Sequence, residues 1–188
     1  MINDIPDKSL IFIDETGINL HLNTHYGYAP TGMAQILNEP ANRGQNISCL
    51  VAISISGVVS FLIEDGAING NIFTNFLENQ IFTSIGRSSV IIMDNARIHK
   101  VREIQTLFSR HKVRHEYLPP YSPPLNPIDE YFSRFKNRIR RQRSNISTRQ
   151  QLKDAASRIL EADRQYEMNG FFRHMRRFTE LGFRREHL

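Results

Sequence analysis

Two short apolar runs each lead into an acid. Leu10-Ile11-Phe12-Ile13 precedes Asp14-Glu15, and Val90-Ile91-Ile92-Met93 precedes Asp94-Asn95. Unbroken apolar stretches of this length, bounded by turn residues, are expected as strands buried on both faces. If the two strands are parallel neighbours, Asp14 and Asp94 emerge side by side at the carboxyl edge of the sheet, where sites gather in α/β architectures. Carboxylates a few ångströms apart repel, so one takes up a proton or a cation lies between them. Mg2+ suits such oxygen ligands and retains water. Two such ions about 4 Å apart can stabilise both the attacking and the leaving oxygen in phosphoryl transfer. A single strand-end Asp reads more simply as a turn residue. A matched pair with a third acid within reach favours the metal site.

The third acid lies where a helix begins, at Asp129-Glu130. Ile128, Phe132, Phe135 and Ile139 form the apolar stripe of that helix, spaced four, three and four apart. At about 100° per residue, Asp129 lies at one edge of the stripe and Glu130 roughly opposite it. A ligand must face the sheet, which favours Asp129 and leaves Glu130 in reserve. An acid in a first helical turn is also stabilised by the helix dipole, and that suits Glu130 without any role in chemistry.

These acids need a scaffold. Residues 19–45 hold Gly27, Pro30, Gly32, Pro40 and Gly44 and read as a loop or irregular hairpin. Ile47–Ser54 and Val58–Ile63 form an expected hairpin with Gly57 at its turn. Apolar residues at 72, 73, 76, 77 and 81 predict a helix over Asn69–Phe82. Ile98–Arg110 is a second expected helix, with Val101, Ile104, Leu107 and Phe108 on one face, and Val113–Leu118 a short strand. Five prolines in the nine residues from Pro119 to Pro127 forbid regular structure and impose a fixed, extended path. Asn126 then reads as an N-cap and Pro127 as the first residue of a helix running to about Arg141. Residues 148–162 and 165–181 are expected as two further helices.

Composition sets the outer limits. The 188 residues suit one domain, with 40% hydrophobic and 23% charged residues as in soluble proteins. Cys49 is the only cysteine, which excludes a disulfide framework and any zinc site needing two thiolates. It sits in an apolar stretch and reads as a small buried hydrophobe. No apolar run reaches the roughly 18 residues of a membrane span. The opening MINDIPDKSL lacks a secretory pattern, so an intracellular, soluble protein is expected. Residues 1–133 carry a net charge of −4 and residues 134–188 a net charge of +9. A basic tail beside an acidic body points to a polyanion, most simply nucleic acid, or else to a solvated helical surface. Arg134, Lys136, Arg138, Arg140, Arg141 and Arg143 are the candidate phosphate-binding residues.

Four segments carry a family resemblance: Phe12-Ile13-Asp14-Glu15-Thr16, Tyr26 to Gly32, Ile92 to His99, and Leu118 to Glu130. Their order and spacing resemble mariner-like transposases and the related bacterial insertion-sequence transposases over about residues 9–142. The resemblance implies an α/β, ribonuclease-H-like fold, with a mixed five-stranded sheet flanked by helices. It divides the chain into a catalytic domain at 1–145 and a basic helical extension at 146–188. It implies an acidic triad of Asp14, Asp94 and Asp129, with Glu130 the alternative third acid. The implied cofactor is a pair of Mg2+ ions, with Mn2+ as the implied substitute. The implied activity is cleavage of transposon-end DNA and joining of 3′-hydroxyl ends to a target. His99 matches a histidine common in the family, as a phosphate contact, a tuner of the site or a structural hydrogen-bonder. Tyr28 stands where many relatives have Trp. Double-stranded DNA is the implied partner, with a homodimer on paired ends and no membrane. The site of action would be cytoplasm and nucleoid in a bacterium, or the nucleus in a eukaryote. Family members carry helix-turn-helix domains ahead of the catalytic domain, whereas here the first strand begins about nine residues in. A separate recognition subunit, a frameshift-joined half or a remnant is therefore expected. Another ribonuclease-H-like nuclease and a non-catalytic DNA-binding derivative are the alternatives.

Overall fold

The computed structural model describes residues 2–20, 46–120 and 122–186. Tyr28 and nearly all of the irregular segment expected over 19–45 lie outside them. Five strands, β1 (Leu10–Ile18), β2 (Ile47–Ser54), β3 (Gly57–Asp65), β4 (Val90–Met93) and β5 (Arg114–Tyr117), form one mixed sheet in the order β3-β2-β1-β4-β5. β1 is central: antiparallel to β2 and parallel to β4, which is in turn parallel to β5.

The apolar run of β1 alternates between two cores. Leu10 and Phe12 point to one face, Ile11 and Ile13 to the other. That is why the run shows no polar alternation: both faces of the central strands are covered. The second face carries α1 (Gly70–Phe76), continued by a π-helical turn (Leu77–Ile81) and α2 (Phe82–Ser84), and also α3 (Arg102–His111). The first face carries α4 (Pro127–Arg141), α5 (Arg149–Ala162) and α6 (Asn169–Glu186). Leu152, Ile159, Phe172 and Met175 are buried in the same cluster as Leu10 and Phe12. Residues on both sides of the 145/146 division thus share one core.

Three details differ from the sequence expectation. β1 does not stop at Ile13. Its parallel pairing with β4 ends at Ile13↔Met93, while the antiparallel pairing with β2 runs on through Asp14↔Val51 to Ile18↔Ile47. The helix expected over Ile98–Arg110 is broken. A 3-10 turn (Arg97–Lys100) meets extended backbone at Val101, which is 36% exposed rather than on the buried face. Gly57 begins β3 instead of filling the turn. Its φ of 137° and a backbone approach that would leave a Cβ 2.3 Å from the Arg164 carbonyl oxygen both require glycine.

Candidate active site

The parallel pairing of β1 and β4 brings the two strand-borne acids together. Ile13 and Met93 are partners, so Asp14 and Asp94 leave neighbouring strands one residue later. α4 packs its stripe of Ile128, Phe132, Phe135 and Ile139 into the core under β1. The first turn of α4 then presents Asp129 to the same edge. Asp14, Asp94 and Asp129 line one open cleft of about 440 Å³, walled by Leu118, Pro119, Pro120 and Pro123. Pro119, Pro120 and Pro123 form this wall, and the chain enters α4 through a 3-10 turn (Pro123–Leu125) rather than the wholly extended path expected, since proline fixes φ near the value such a turn needs.

The electrostatics show the carboxylates acting on one another. Burial, reinforced by the charges of Asp94 and Asp129, raises the pKa of Asp14 from 3.8 to about 6. Hydrogen bonds from the Glu15 N–H, at 2.7 Å, and from Asn126 oppose the rise. Partial desolvation, helped by Asp94, also pushes the Asp129 carboxyl up. Asp94 goes the other way: contact with His99 and the Ala96 N–H, 3.0 Å from Oδ1, holds it below the usual range despite some burial.

His99 is therefore not presented to solvent as a phosphate contact would be. It is 4% exposed, its ring lies 4.6 Å from that of Phe73, and its Nδ1 stands 2.7 Å from Asp94 Oδ1. Nδ1 has no other acceptor among the described residues, and the contact with Asp94 is not aligned as a regular hydrogen bond. The Tyr117 hydroxyl donates to the His99 carbonyl at 2.7 Å and accepts from Gln105 Nε2 at 2.6 Å, which fixes the turn carrying the ring.

Asn126 holds a place the sequence reading did not give it. It occupies the N-cap position of α4, yet its side chain makes no capping bond. Instead Nδ2 donates to Asp14 Oδ2 at 3.0 Å, and the amide also lowers the pKa of Asp129. An Asn before Pro is so well explained as a cap that the sequence offers no separate signal for this role. The amide supplies positive dipole to two carboxylates that form no ion pair among the described residues.

The other expected site residues separate. Glu130 turns away from the cleft and pairs with His174 of α6. Arg134 and Arg138, expected on a phosphate-binding face, close instead on Asp163, at 2.8 and 2.5 Å. Arg134 also lies 3.7 Å over the Tyr166 ring. Arg140 donates to Asn137 Oδ1 at 2.7 Å, and Arg143 to the Ile146 carbonyl. Arg141 is exposed at the end of α4. Lys136 makes no hydrogen bond or ion pair among the described residues, and lies close enough to Asp129 for the two charges to interact.

The donor set fits a hard divalent cation: three carboxylates, all oxygen, whose mutual repulsion a cation would relieve. As they stand, no three acidic, histidine or cysteine side chains among the described residues converge on one point. Cys49, buried in β2 with its thiol pushed up to about 12, offers no thiolate.

Asp14 gives a pH-dependent test. Its folded pKa of about 6 lies above the ordinary 3.8, so ionising it costs stability. That cost is absent below pH 3.8, grows as pH rises, and is complete above about 6. In chelator, Asp14→Asn is expected to melt above the parent at pH 7.5, by the order of 2–3 kcal/mol. The gap should shrink steadily towards pH 4.5. Calorimetric melting at both pH values checks this, and a pH-independent gap would refute it.

A family model described as DDE superfamily endonuclease matches residues 9–153. No match is found among curated proteins. Among solved structures, the Mos1 transposase paired-end complex with left transposon end aligns with a TM-score of 0.74 at 19% identity, covering 92% of this chain and 54% of that one. The mariner Mos1 paired end complex with Mg aligns with a TM-score of 0.71 at 20% identity, with coverage of 92% and 54%. The catalytic domain of Mos1 mariner transposase aligns with a TM-score of 0.64 at 16% identity, covering 92% of this chain and 79% of that one. The chain thus spans about half the length of the full transposase chains it matches. These likenesses show the fold, the ribonuclease-H-like architecture expected from the sequence. Among the described residues, no helix is long and apolar enough to cross a membrane.

Proposed function

Because this chain belongs to the family of DDE superfamily endonucleases, we propose that it is the catalytic part of a cut-and-paste DNA transposase. The observation that carries the reading is one cleft lined by Asp14, Asp94 and Asp129, acids from three distant stretches of chain. Asp14, Asp94 and Asp129 would hold two Mg2+ ions, with Mn2+ as substitute; the similar Mos1 complexes include ones with Mg and with Mn. Bound there, the ions would supply the electrostatic stabilisation of attacking and leaving oxygens that in-line phosphodiester transfer needs.

The chain's own residues do the rest. Asn126 orients Asp14, and its amide keeps Asp14 and Asp129 apart but near. His99 fixes Asp94 from behind, with Phe73 and the Tyr117 hydroxyl holding the turn. The proline wall limits the approach of a DNA strand to one side. Lys136, Arg140, Arg141 and Arg143 counter the charge of the DNA backbone. No covalent protein intermediate is required. Double-stranded DNA is the substrate on this reading, wherever the cell keeps it. A homodimer on paired ends and a helix-turn-helix subunit for end recognition belong to the same proposal.

The test is joining, not cutting alone. Duplex carrying the DNA that flanks the reading frame on either side is incubated with the protein, Mn2+ and a supercoiled target. Covalent joining of the 3′ ends to the target is the expected outcome. Cutting without joining would make the chain a nuclease, and binding without cutting a non-catalytic derivative.

A further inference from the structure

Resting on the reading of the chain as a DNA enzyme, we infer that α4 is divided lengthwise. Lys136 and Arg140, with Arg143 just past the helix end, form the track that binds backbone phosphates of DNA entering the cleft. Arg134 and Arg138 take no part in it.

Helix geometry makes the division. At about 100° per residue, Lys136 and Arg140 fall within about 20° of the line through Asp129. Arg134 and Arg138 fall about 140° and 180° away from it. The buried stripe lies between, with Tyr131 on the far edge beside the two arginines. One helix therefore shows a cleft-side row and an opposite row, and their partners differ in kind.

The opposite row is spent. Asp163, 2% exposed, accepts from Arg134, Arg138 and the Tyr131 hydroxyl. The cleft-side row has no carboxylate on it among the described residues. Among the described residues Lys136 has no hydrogen-bond or ion-pair partner, Arg140 meets only the neutral Asn137 amide, and Arg143 only the Ile146 carbonyl. The Nε atoms of Arg140 and Arg143 have no acceptor among the described residues. Partial burial and the charge of Arg140 also hold the Lys136 amine below its ordinary range, against weaker opposing effects of Cys49 and Asp129. Cations crowded together with no ion pair among the described residues gain most from an arriving anion.

The spacing suits a strand. With 1.5 Å of rise per residue, Lys136 stands about 10 Å along α4 from Asp129 and Arg140 about 6 Å further. The second step is close to the distance between neighbouring phosphates on one DNA strand. A strand laid on the row would have its next phosphates delivered to the acids.

The experiment needs neither metal nor cleavage. Binding of a labelled random-sequence duplex of about 30 base pairs is followed by anisotropy in chelator, from about 50 to 200 mM salt. Lys136→Gln/Arg140→Gln, its fold checked by circular dichroism, is expected to bind on the order of tenfold or more weakly near 0.1 M salt, with a log–log salt slope shallower by about 2. Arg134→Gln, which leaves Arg138 on Asp163, should keep the parental slope while melting lower. A folded double variant with the parental slope overturns the track, as does a slope loss in Arg134→Gln equal to that of the double variant. If the double variant matches a parent that binds and joins DNA, only the track fails. A parent with no affinity for DNA would remove the functional reading, and the track with it.

Discussion

Asp94→Ala is expected to lose metal-dependent DNA cleavage by about a thousandfold or more while keeping its fold. The carboxylate belongs to the acidic cleft and is 44% exposed, so little of the core depends on it. What is lost structurally is its contact with the Ala96 N–H and the His99 ring. At about 1 kcal/mol for such a contact, the melting temperature should fall by only about 2–4 °C. Part of that is offset, because removing Asp94 relieves the repulsion it exerts on Asp14 and Asp129. A plasmid-nicking assay in Mn2+ beside a thermal melt separates the two effects. Glu130→Gln is the matched control: its carboxylate is turned to His174, so cleavage should stay within a few-fold of the parent. Undiminished cleavage by Asp94→Ala, or a loss in Glu130→Gln as deep as that in Asp94→Ala, would break the assignment of the triad.

Asp163→Ala should be strongly destabilising. The carboxylate is buried and binds two guanidinium groups and the Tyr131 hydroxyl, at 2.8, 2.5 and 3.1 Å. It joins α4 to the 3-10 turn (Asp163–Gln165) between α5 and α6. The next residue extends the clamp, since Arg164 Nη1 donates to the Val59 carbonyl at 2.8 Å. Removing one partner of a buried ion pair leaves uncompensated charge, typically costing 3–5 kcal/mol. Arg134 and Arg138 are 28% and 30% exposed and can recover some water, which puts the expected cost near the lower end, about 3 kcal/mol. Urea unfolding should show the midpoint reduced with the slope unchanged. A change below about 1 kcal/mol would mean that the cluster does not hold the helices together.

Much of the scaffold was legible because its rules are local. The runs at Leu10–Ile13 and Val90–Met93, the pairing of Ile47–Ser54 with the strand after it, and the helix from Pro127 to Arg141 all follow from apolar period and turn chemistry. The choice of Asp129 over Glu130 was available from angle alone, and the cleft has Asp129 in it. Other features were hidden. Val101 carries an apolar side chain at helical spacing, but an extended backbone at that point ends one helix and starts another. Asn126 satisfied a local capping rule so fully that its contact with Asp14, 112 residues away in sequence, left no trace. His99 read equally as a phosphate contact, a tuner of the site or a structural hydrogen-bonder, and only the packing of Phe73 and Asp94 around it places it in the interior.

The basic helix marks the same boundary. The sequence determined that α4 is amphipathic, that its charges are positive, and that its first turn holds two acids on different faces; these are properties of a 3.6-residue period acting on one segment. It could not determine which cations are free. Helix angle sets Arg134 and Arg138 on another face from Lys136 and Arg140, but which face is neutralised depends on Asp163, which arrives through the fold of α5 back onto α4. Periodicity acts within a segment, whereas neutralising a charge takes a partner, and partners are brought by the packing of elements far apart in the chain.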